Sequence, residues 1–274
     1  MSDDFQLLRV DIAGGVATAT IDNPPINLMR TRLLRELVRF ADDAADNPDV
    51  RVVVLQSANP AFFIAHFDVE TILTFPTDGA DAPDEALNEF FYMCERFRTM
   101  PKATIAKIAG RVGGGGAELA AAMDMRFGAI GHTVVNQMEV ALGIMPGGTG
   151  TQRLPELIGR SRTLELVLGC DDVDALTAER WGWLNRAMPL DELDDFVDRL
   201  ATRIASFPPS AVAFAKQSIL NAGSATIDGL REEAILFQKS VRTDSAQRAM
   251  RRFLEIGGQT SEGEQRIGEL VTEI

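Results

Sequence analysis

The chain has 274 residues, of which 46% are hydrophobic and 24% charged, a composition typical of a folded globular protein rather than a disordered one. Its formal net charge of −13 argues against nucleic acid or an anionic membrane surface as the main partner. The polar N-terminus has no signal-peptide pattern, and no apolar run is long enough to cross a membrane, so we expect a cytoplasmic protein.

The first third of the chain predicts alternating strands and helices. Two alternating apolar runs, residues 7–12 and 16–21, flank a pair of glycines and predict a β-hairpin. Leucines at helical spacing predict a helix over residues 31–45, and a β-branched run predicts a buried strand over residues 50–55. This order is typical of an α/β structure in which helices connect the strands.

An unusually apolar loop is predicted next, over residues 60–69. Such a loop either forms a ligand or partner surface or lies beneath the core. Residues 75–83 contain proline, glycine and aspartate and predict a mobile lid, and residues 84–100 predict a helix with one apolar face. The cysteines, Cys94 and Cys170, lie in apolar helical patterns, so we expect buried free thiols and no disulfide or metal site.

Four consecutive glycines, Gly113 to Gly116, stand between an apolar run and an alanine-rich segment and predict a turn from strand into helix. The first amides of a helix have no intrahelical acceptor, so this turn suits an anion or a developing oxyanion, with Glu118 in the first turn beside it. Apolar flanks disfavour a flexible linker. A dinucleotide-binding loop is excluded because its third glycine would fall on Glu118 or Leu119, but a purely structural turn stays open.

A second glycine-rich loop follows two predicted short strands, residues 125–130 and 133–135, and leads into another helix over residues near 150. Glu139 stands at the entrance of this loop. Two glycine loops with two carboxylates indicate a general acid/base pair, although solvated glutamates would give the same pattern.

The C-terminal third predicts helices. Phe207, Pro208 and Pro209 interrupt a helix that ends near Ala205, and further helices are predicted over residues 211–221, 227–239 and 245–256. The polar tail, residues 259–274, either covers a neighbouring subunit or is solvated.

Three blocks of the sequence, residues 63–68, 113–120 and 139–154, resemble in that order the signature segments of the crotonase family, the enoyl-CoA hydratases and isomerases. Residues 176–185 resemble the helix-turn segment that follows the active site in that family. The third block is the most specific, because its Leu-Gly-x-x-Pro-Gly run ends in Thr-Gln-Arg-Leu.

The resemblance implies an α/β spiral of ββα repeats over residues 1–206 and a C-terminal helical region, residues 207–274, that makes subunit contacts in a homotrimer or a dimer of trimers. It also implies an acyl-CoA thioester substrate, with coenzyme A as part of the substrate and no separate cofactor or metal. Carried over by position, it implies that the main-chain amides of Phe67 and Gly115 are the oxyanion donors and that Glu118 and Glu139 are the catalytic residues. The substrate-binding residues that it implies are Ala65, His66, Asp68, Gly114 and Gly147.

These assignments predict an enoyl-CoA hydratase that adds water to a trans-2-enoyl-CoA. The alternatives are an enoyl-CoA isomerase, an acyl-CoA hydrolase or decarboxylase, and a non-catalytic acyl-CoA-binding member, since one fold hosts many reactions.

The sequence departs from the family pattern at several positions. His66 replaces the usual glycine and Phe67 a small residue, so we expect a bulkier first loop and a narrower substrate channel. His66 either joins the chemistry or, as is more common for a loop histidine beside aromatic residues, serves in packing or hydrogen bonding. Met138 and Thr149 replace proline and glycine, and the segment after Phe253 lacks the basic residue that often contacts the CoA phosphate.

Overall fold

The computed structural model describes residues 5–79, 87–207, 209–221, 231, 234–235, 237–239 and 241–274. The chain begins with the predicted antiparallel hairpin, β1 (Leu8–Ala13) and β2 (Val16–Ile21), in which Leu8 pairs with Ile21. Side chains alternate between the two faces of β2, and those on the inward face, Ala17, Ala19 and Ile21, are fully buried.

Within the part of the chain that the structure describes, ten strands form two sheets. The larger sheet has the order β1-β2-β3-β5-β7-β10, and every neighbouring pair except the first hairpin is parallel. Its further strands are β3 (Val52–Ser57), β5 (Ala103–Ile108), β7 (Met125–Ala129) and β10 (Arg186–Met188). The smaller sheet has the order β4-β6-β8-β9, with strands β4 (Phe62–Ile64), β6 (Arg111–Gly113), β8 (Val134–Asn136) and β9 (Val173–Asp174).

The path between the sheets is a spiral. Three times in succession the chain leaves a strand of the larger sheet, adds one to the smaller sheet and then enters a helix: β3 and β4, β5 and β6, β7 and β8. The helices that follow these pairs are α2 (Val69–Ile72) with α3 (Leu87–Thr99), then α4 (Gly114–Ala122), then a short 3₁₀ turn (Glu139–Leu142). The predicted α/β spiral of ββα repeats is therefore confirmed.

The remaining helices cover the sheets and form the C-terminal part of the chain. They are α1 (Thr31–Asp46), α5 (Gly150–Ile158), α6 (Arg160–Gly169), α7 (Ala175–Trp181), α8 (Leu190–Ala205), α9 (Pro209–Asn221), α10 (Asp244–Glu255), α11 (Ser261–Gln265), α12 (Ile267–Leu270) and a final 3₁₀ turn (Val271–Glu273). Within the described residues, no helix combines the length and the apolar character needed to cross a bilayer. The boundary predicted near residue 207 falls between α8 and α9 and remains a prediction.

The predicted apolar loop over residues 60–69 is partly wrong, because it contains strand β4. Phe62, Phe63 and Ile64 are at most 1% exposed, so both faces of this strand are covered and no alternation marks it. The predicted strand over residues 50–55 lies two residues later, at β3. Cys94 and Cys170 are buried free thiols as expected, although Cys170 lies just after α6 rather than inside it.

Some predictions fall on residues outside the described part of the chain. The lid predicted over residues 75–83 is described only to residue 79, and the predicted start of the helix at residues 84–86 is not described. Of the predicted helix over residues 227–239, the described residues 231, 234–235 and 237–239 are helical.

The C-terminal tail packs on its own chain, which contradicts the alternative that it is solvated; the other alternative, that it covers a neighbouring subunit, stays a prediction. Ile267, Leu270 and Val271 are buried in a cluster that also contains Val69 and Met138. This contact brings the end of the chain to the loop that follows β4.

Candidate active site

A largely apolar cavity of about 290 Å³ lies between the loop after β4, the start of α4 and the second glycine-rich loop. Six of the predicted site residues line it: His66, Phe67, Gly115, Glu118, Glu139 and Gly147. The other three lie beside it. Gly114 contacts both His66 and Glu139, Asp68 is the N-cap of α2, and the Ala65 amide donates to the Ile26 carbonyl at 3.2 Å.

The start of α4 is built from glycines because other segments press against it. A Cβ on Gly116 would lie 2.6 Å from Cβ of Ile64, and one on Gly115 would lie 3.2 Å from Cβ of Phe67. The helix begins at Gly114, so the chain passes from strand into helix inside the four glycines, as predicted, and Glu118 is the fifth helical residue. Gly115 is the second residue of the helix, and its N–H therefore has no intrahelical acceptor.

The loop after β4 lines the same cavity through Phe67. The Met29 amide donates to the His66 carbonyl at 2.9 Å, and the Asp68 amide donates to the Met29 carbonyl at 3.1 Å. In a trans peptide the Phe67 N–H is antiparallel to the His66 carbonyl, so it points away from Met29. The amides of Phe67 and Gly115 thus belong to two segments in contact at one cavity.

Glu118 is held by main-chain amides of the second glycine-rich loop. Its Oε1 accepts hydrogen bonds from the amides of Gly148 and Gly150, each at 2.8 Å, and the residue is only 4% exposed. Glycine at both donors leaves room for this carboxylate: a Cβ on Gly148 would lie 2.6 Å from Oε2 and one on Gly150 would lie 2.8 Å from Oε1, so either would displace it. Hydrogen bonds from main-chain N–H groups to a carboxylate are short and strong, so these two bonds fix the Glu118 side chain.

Glu139 is held by a side chain instead. It begins the 3₁₀ turn after β8, is 8% exposed, and accepts from the amide Nε2 of the fully buried Gln137 at 3.3 and 3.2 Å. A Cβ on Gly114 would lie 3.1 Å from Glu139 Oε1. The two carboxylates therefore flank the beginning of α4, one on the helix and one against its first residue.

Aromatic side chains form much of the cavity wall. The rings of Phe67 and Phe90 are edge to face with centroids 6.0 Å apart, and those of Phe75 and Phe237 are 6.3 Å apart. Phe90 also fills the space beside Gly115 and Gly148. The cavity is thus lined by Phe67 and Gly115, by the two carboxylates and by apolar walls suited to an acyl chain.

The sequence reasoning missed the partners that the C-terminal tail supplies to the first loop. Glu264 accepts a hydrogen bond from His66 Nε2 at 2.8 Å, and Gln259 Nε2 donates to Asp68 Oδ1 at 3.0 Å. These contacts cannot be predicted from the local sequence, because polar residues in a polar tail have no pattern that indicates which distant residues they contact. His66 is therefore the hydrogen-bonding residue that we expected, and its ring also lies edge to face with Phe253 at 5.7 Å.

Comparisons with known proteins agree with this geometry. The family model for enoyl-CoA hydratase/isomerase matches residues 11–262. A Clostridium acetobutylicum protein named short-chain-enoyl-CoA hydratase is 30% identical, with 88% of this chain and 92% of that protein covered. A Mycobacterium leprae (strain TN) protein provisionally named an enoyl-CoA hydratase is also 30% identical, covering 92% of this chain and 96% of that protein.

Solved structures give the same result. A crystal structure of a Streptomyces avermitilis protein, provisionally named an enoyl-CoA hydratase, matches with a TM-score of 0.87 and 40% identity over 98% of both chains. The enoyl-CoA hydratase structure from Bacillus anthracis matches with a TM-score of 0.73 and 27% identity, covering 91% of this chain and 96% of that one.

Proposed function

The chain belongs to the enoyl-CoA hydratase/isomerase family, and we propose that it hydrates a trans-2-enoyl-CoA thioester. One observation carries the proposal: Glu118 and Glu139, from separate segments, line one cavity together with Phe67 and Gly115. Coenzyme A enters as part of the substrate, and the reaction that we propose uses no further cofactor.

In the proposed reaction the thioester oxygen accepts hydrogen bonds from the amides of Phe67 and Gly115. Glu118 and Glu139 hold one water between them. As the water oxygen adds to Cβ of the enoyl group, one carboxylate accepts the proton that the water loses, and the other, in its protonated form, donates a proton to Cα. Negative charge builds on the thioester oxygen during addition. Loss of one preorganised donor of this kind costs on the order of 3 to 4 kcal/mol in other enzymes, so the placement of the two amides matters as much as the carboxylates.

The rigid setting of Glu118 supports this mechanism. Its Oε1 is occupied by the amides of Gly148 and Gly150, which leaves the direction of the carboxylate fixed relative to α4. Positioned acid/base groups contribute about 10²- to 10⁴-fold to rates. The apolar walls exclude bulk water, and this strengthens each hydrogen bond to the developing charge.

Hydration of crotonyl-CoA tests the proposal, followed as the loss of the conjugated-thioester absorbance. We expect Glu118→Gln and Glu139→Gln each to lower kcat by about 10²- to 10⁴-fold. In Glu118→Gln the side-chain carbonyl oxygen can still accept from both amides, so the fold should persist. Glu89→Gln is the matched control, because Glu89 also lines the cavity but is partly exposed and paired with Arg35 at 3.3 Å.

Other outcomes separate the alternatives. Unchanged rates in both glutamine variants would remove the assigned roles. Conversion of a 3-enoyl-CoA without hydration would favour an isomerase, release of free CoA would favour a hydrolase, and tight CoA binding without turnover would favour a non-catalytic member.

We also propose a homotrimer or a dimer of trimers, with the C-terminal helices in contact between subunits. Phe214 and Ile219 on α9 support this, because they are 69% and 72% exposed in the single chain. Light scattering coupled to size-exclusion chromatography tests the assembly.

A further inference from the structure

His66 lies between two hydrogen-bond acceptors. Its ring Nδ1 is 2.7 Å from the Phe67 carbonyl oxygen, and its Nε2 is 2.8 Å from Glu264 Oε1. The side chains of His66 and Glu264 are each 3% exposed, so water does not substitute for either contact. The residue that follows His66 supplies one of the two amides at the cavity.

This arrangement specifies the protonation of the ring. A carbonyl oxygen and a carboxylate oxygen only accept hydrogen bonds, whereas a neutral imidazole has one N–H and one lone pair. With Glu264 ionised, both contacts are therefore made only by the imidazolium. If the ring lost one of its two N–H protons, the lone pair of that nitrogen would face an oxygen lone pair, at 2.7 Å for Nδ1 or 2.8 Å for Nε2, and the two would repel.

The surrounding charges favour the same form. Burial lowers the pKa of His66, but the neighbouring Glu264 carboxylate, its hydrogen bond, the Phe67 carbonyl and Glu139 together raise that pKa above its ordinary 6.5. Glu264 faces the ring from α11, Glu139 from the 3₁₀ turn, and Asp68 follows in the same loop, where Arg30 lies 3.5 Å from it. From α10 the ring meets the edge of Phe253.

Glu264 is itself held in place. Its Oε1 also accepts a hydrogen bond from the main-chain amide of Gln259 at 2.7 Å. The side-chain amide of Gln259 in turn accepts from the main-chain amide of Val69 at 2.5 Å and donates to Asp68. The segment 259–264 is thus hydrogen-bonded to residues on both sides of Phe67.

We propose that His66 is a positioning residue, whose ring links Glu264 of the C-terminal tail to the Phe67 carbonyl and thereby fixes the peptide plane that follows Phe67. The Phe67 N–H lies in the preceding peptide plane, whose His66 carbonyl accepts from the Met29 amide, so the ring and Met29 together restrain both peptide planes of Phe67. The effect on catalysis rests on the proposed function; the effect on the loop does not.

The proton on His66 can be observed directly. The chain has only two histidines, so the ring-nitrogen NMR signals of His66 need to be told apart from those of one other residue. We expect both nitrogens of His66 to stay protonated at about pH 7, above the ordinary histidine pKa. In Glu264→Gln, where burial acts without the carboxylate, His66 should be neutral at that pH, whereas Glu262→Gln, an exposed position on the same helix, should leave it protonated.

Kinetics and a backbone signal test positioning. We expect Glu264→Gln to lower kcat for crotonyl-CoA hydration about tenfold, less than the roughly 10²- to 10³-fold that follows complete loss of an oxyanion donor, with KM changed much less. The wild-type kcat should fall as pH rises through the titration of His66, and this limb should be absent in Glu264→Gln. The amide NMR signal of Phe67 should shift in Glu264→Gln and stay in place in Glu262→Gln.

A His66 ring that is neutral in the wild type at about pH 6, below the ordinary histidine pKa, overturns the proposal. So does a Glu264→Gln variant with unchanged kcat and an unchanged Phe67 amide signal. If the wild type hydrates no enoyl-CoA, the proposed function fails, and the Phe67 signal still decides whether His66 positions the loop.

Discussion

The two segments that we propose as oxyanion donors are held in different ways. Gly115 belongs to α4, whose Gly116 packs directly on Ile64 and whose Glu118 accepts hydrogen bonds from two main-chain amides of the second glycine-rich loop. The loop of Phe67 is held by side chains, and Glu264, the partner of His66, lies 198 residues further along the chain. One half of the site therefore depends on close main-chain packing, and the other depends on ionisable and polar groups from the chain's end.

The first prediction concerns packing at α4. Gly116→Ala places a Cβ 2.6 Å from Ile64 Cβ and 2.7 Å from its carbonyl oxygen, so we expect a loss of about 1 to 3 kcal/mol in the free energy of unfolding. Gly169→Ala, at the end of α6, is the matched control. Among the described residues, no atom lies within 4 Å of its added Cβ, so we expect about 0.5 to 1 kcal/mol of stabilisation. Urea denaturation measures both, and equal effects would show that α4 is not closely packed.

The second prediction concerns the loop. Gln259→Ala removes the acceptor of the Val69 amide and the donor to Asp68, so we expect a loss of about 1 to 2 kcal/mol in the free energy of unfolding. Hydrogen exchange followed by mass spectrometry should show less protection over residues 66–72 and unchanged protection over α4. A uniform change across both segments would contradict their separate anchoring.

The third prediction is the pH dependence of the loop's anchor. The raised pKa of His66 means that the folded state binds this proton more tightly than the unfolded chain, whose value is near 6.5. The resulting stability is complete below pH 6.5 and is lost as pH rises through the folded pKa, at up to about 1.4 kcal/mol per pH unit. The unfolding free energies of the wild type and Glu264→Gln should therefore converge with rising pH, while Glu262→Gln follows the wild type. A gap that stays constant would contradict this anchor.

The half of the site that depends on main-chain packing can be predicted from the sequence, whereas the half that depends on side chains from the end of the chain cannot. The turn at Gly113 to Gly116 is visible because glycines between apolar runs have a local structural cause. Strand β4 is not visible, because three consecutive buried residues show no period. Glu264 has no local pattern at all, since its partner is set by the return of the tail to the core. The place of Glu139 beside α4 came from the resemblance rather than from periodicity.

The last prediction tests whether main-chain packing alone holds Glu118. Thr149 stands between the two amide donors with φ 91°, a left-handed conformation that costs a non-glycine residue about 1 to 2 kcal/mol. Thr149→Gly relieves this strain. The added glycine gives the unfolded chain more conformational entropy, which lowers the free energy of unfolding by about 0.5 to 1 kcal/mol. The substitution also removes the hydrogen bond that Arg153 Nε donates to Thr149 Oγ1 at 3.1 Å.

These contributions nearly cancel, so we expect the free energy of unfolding to change by less than about 1 kcal/mol. If the amides of Gly148 and Gly150 suffice, kcat for crotonyl-CoA should also stay within about twofold, because transition-state stabilisation then changes by less than about 0.5 kcal/mol. A tenfold loss of kcat at unchanged stability would mean that Arg153 holds this loop through a side chain. The α4 half of the site would then depend on side-chain anchors just as the Phe67 loop does.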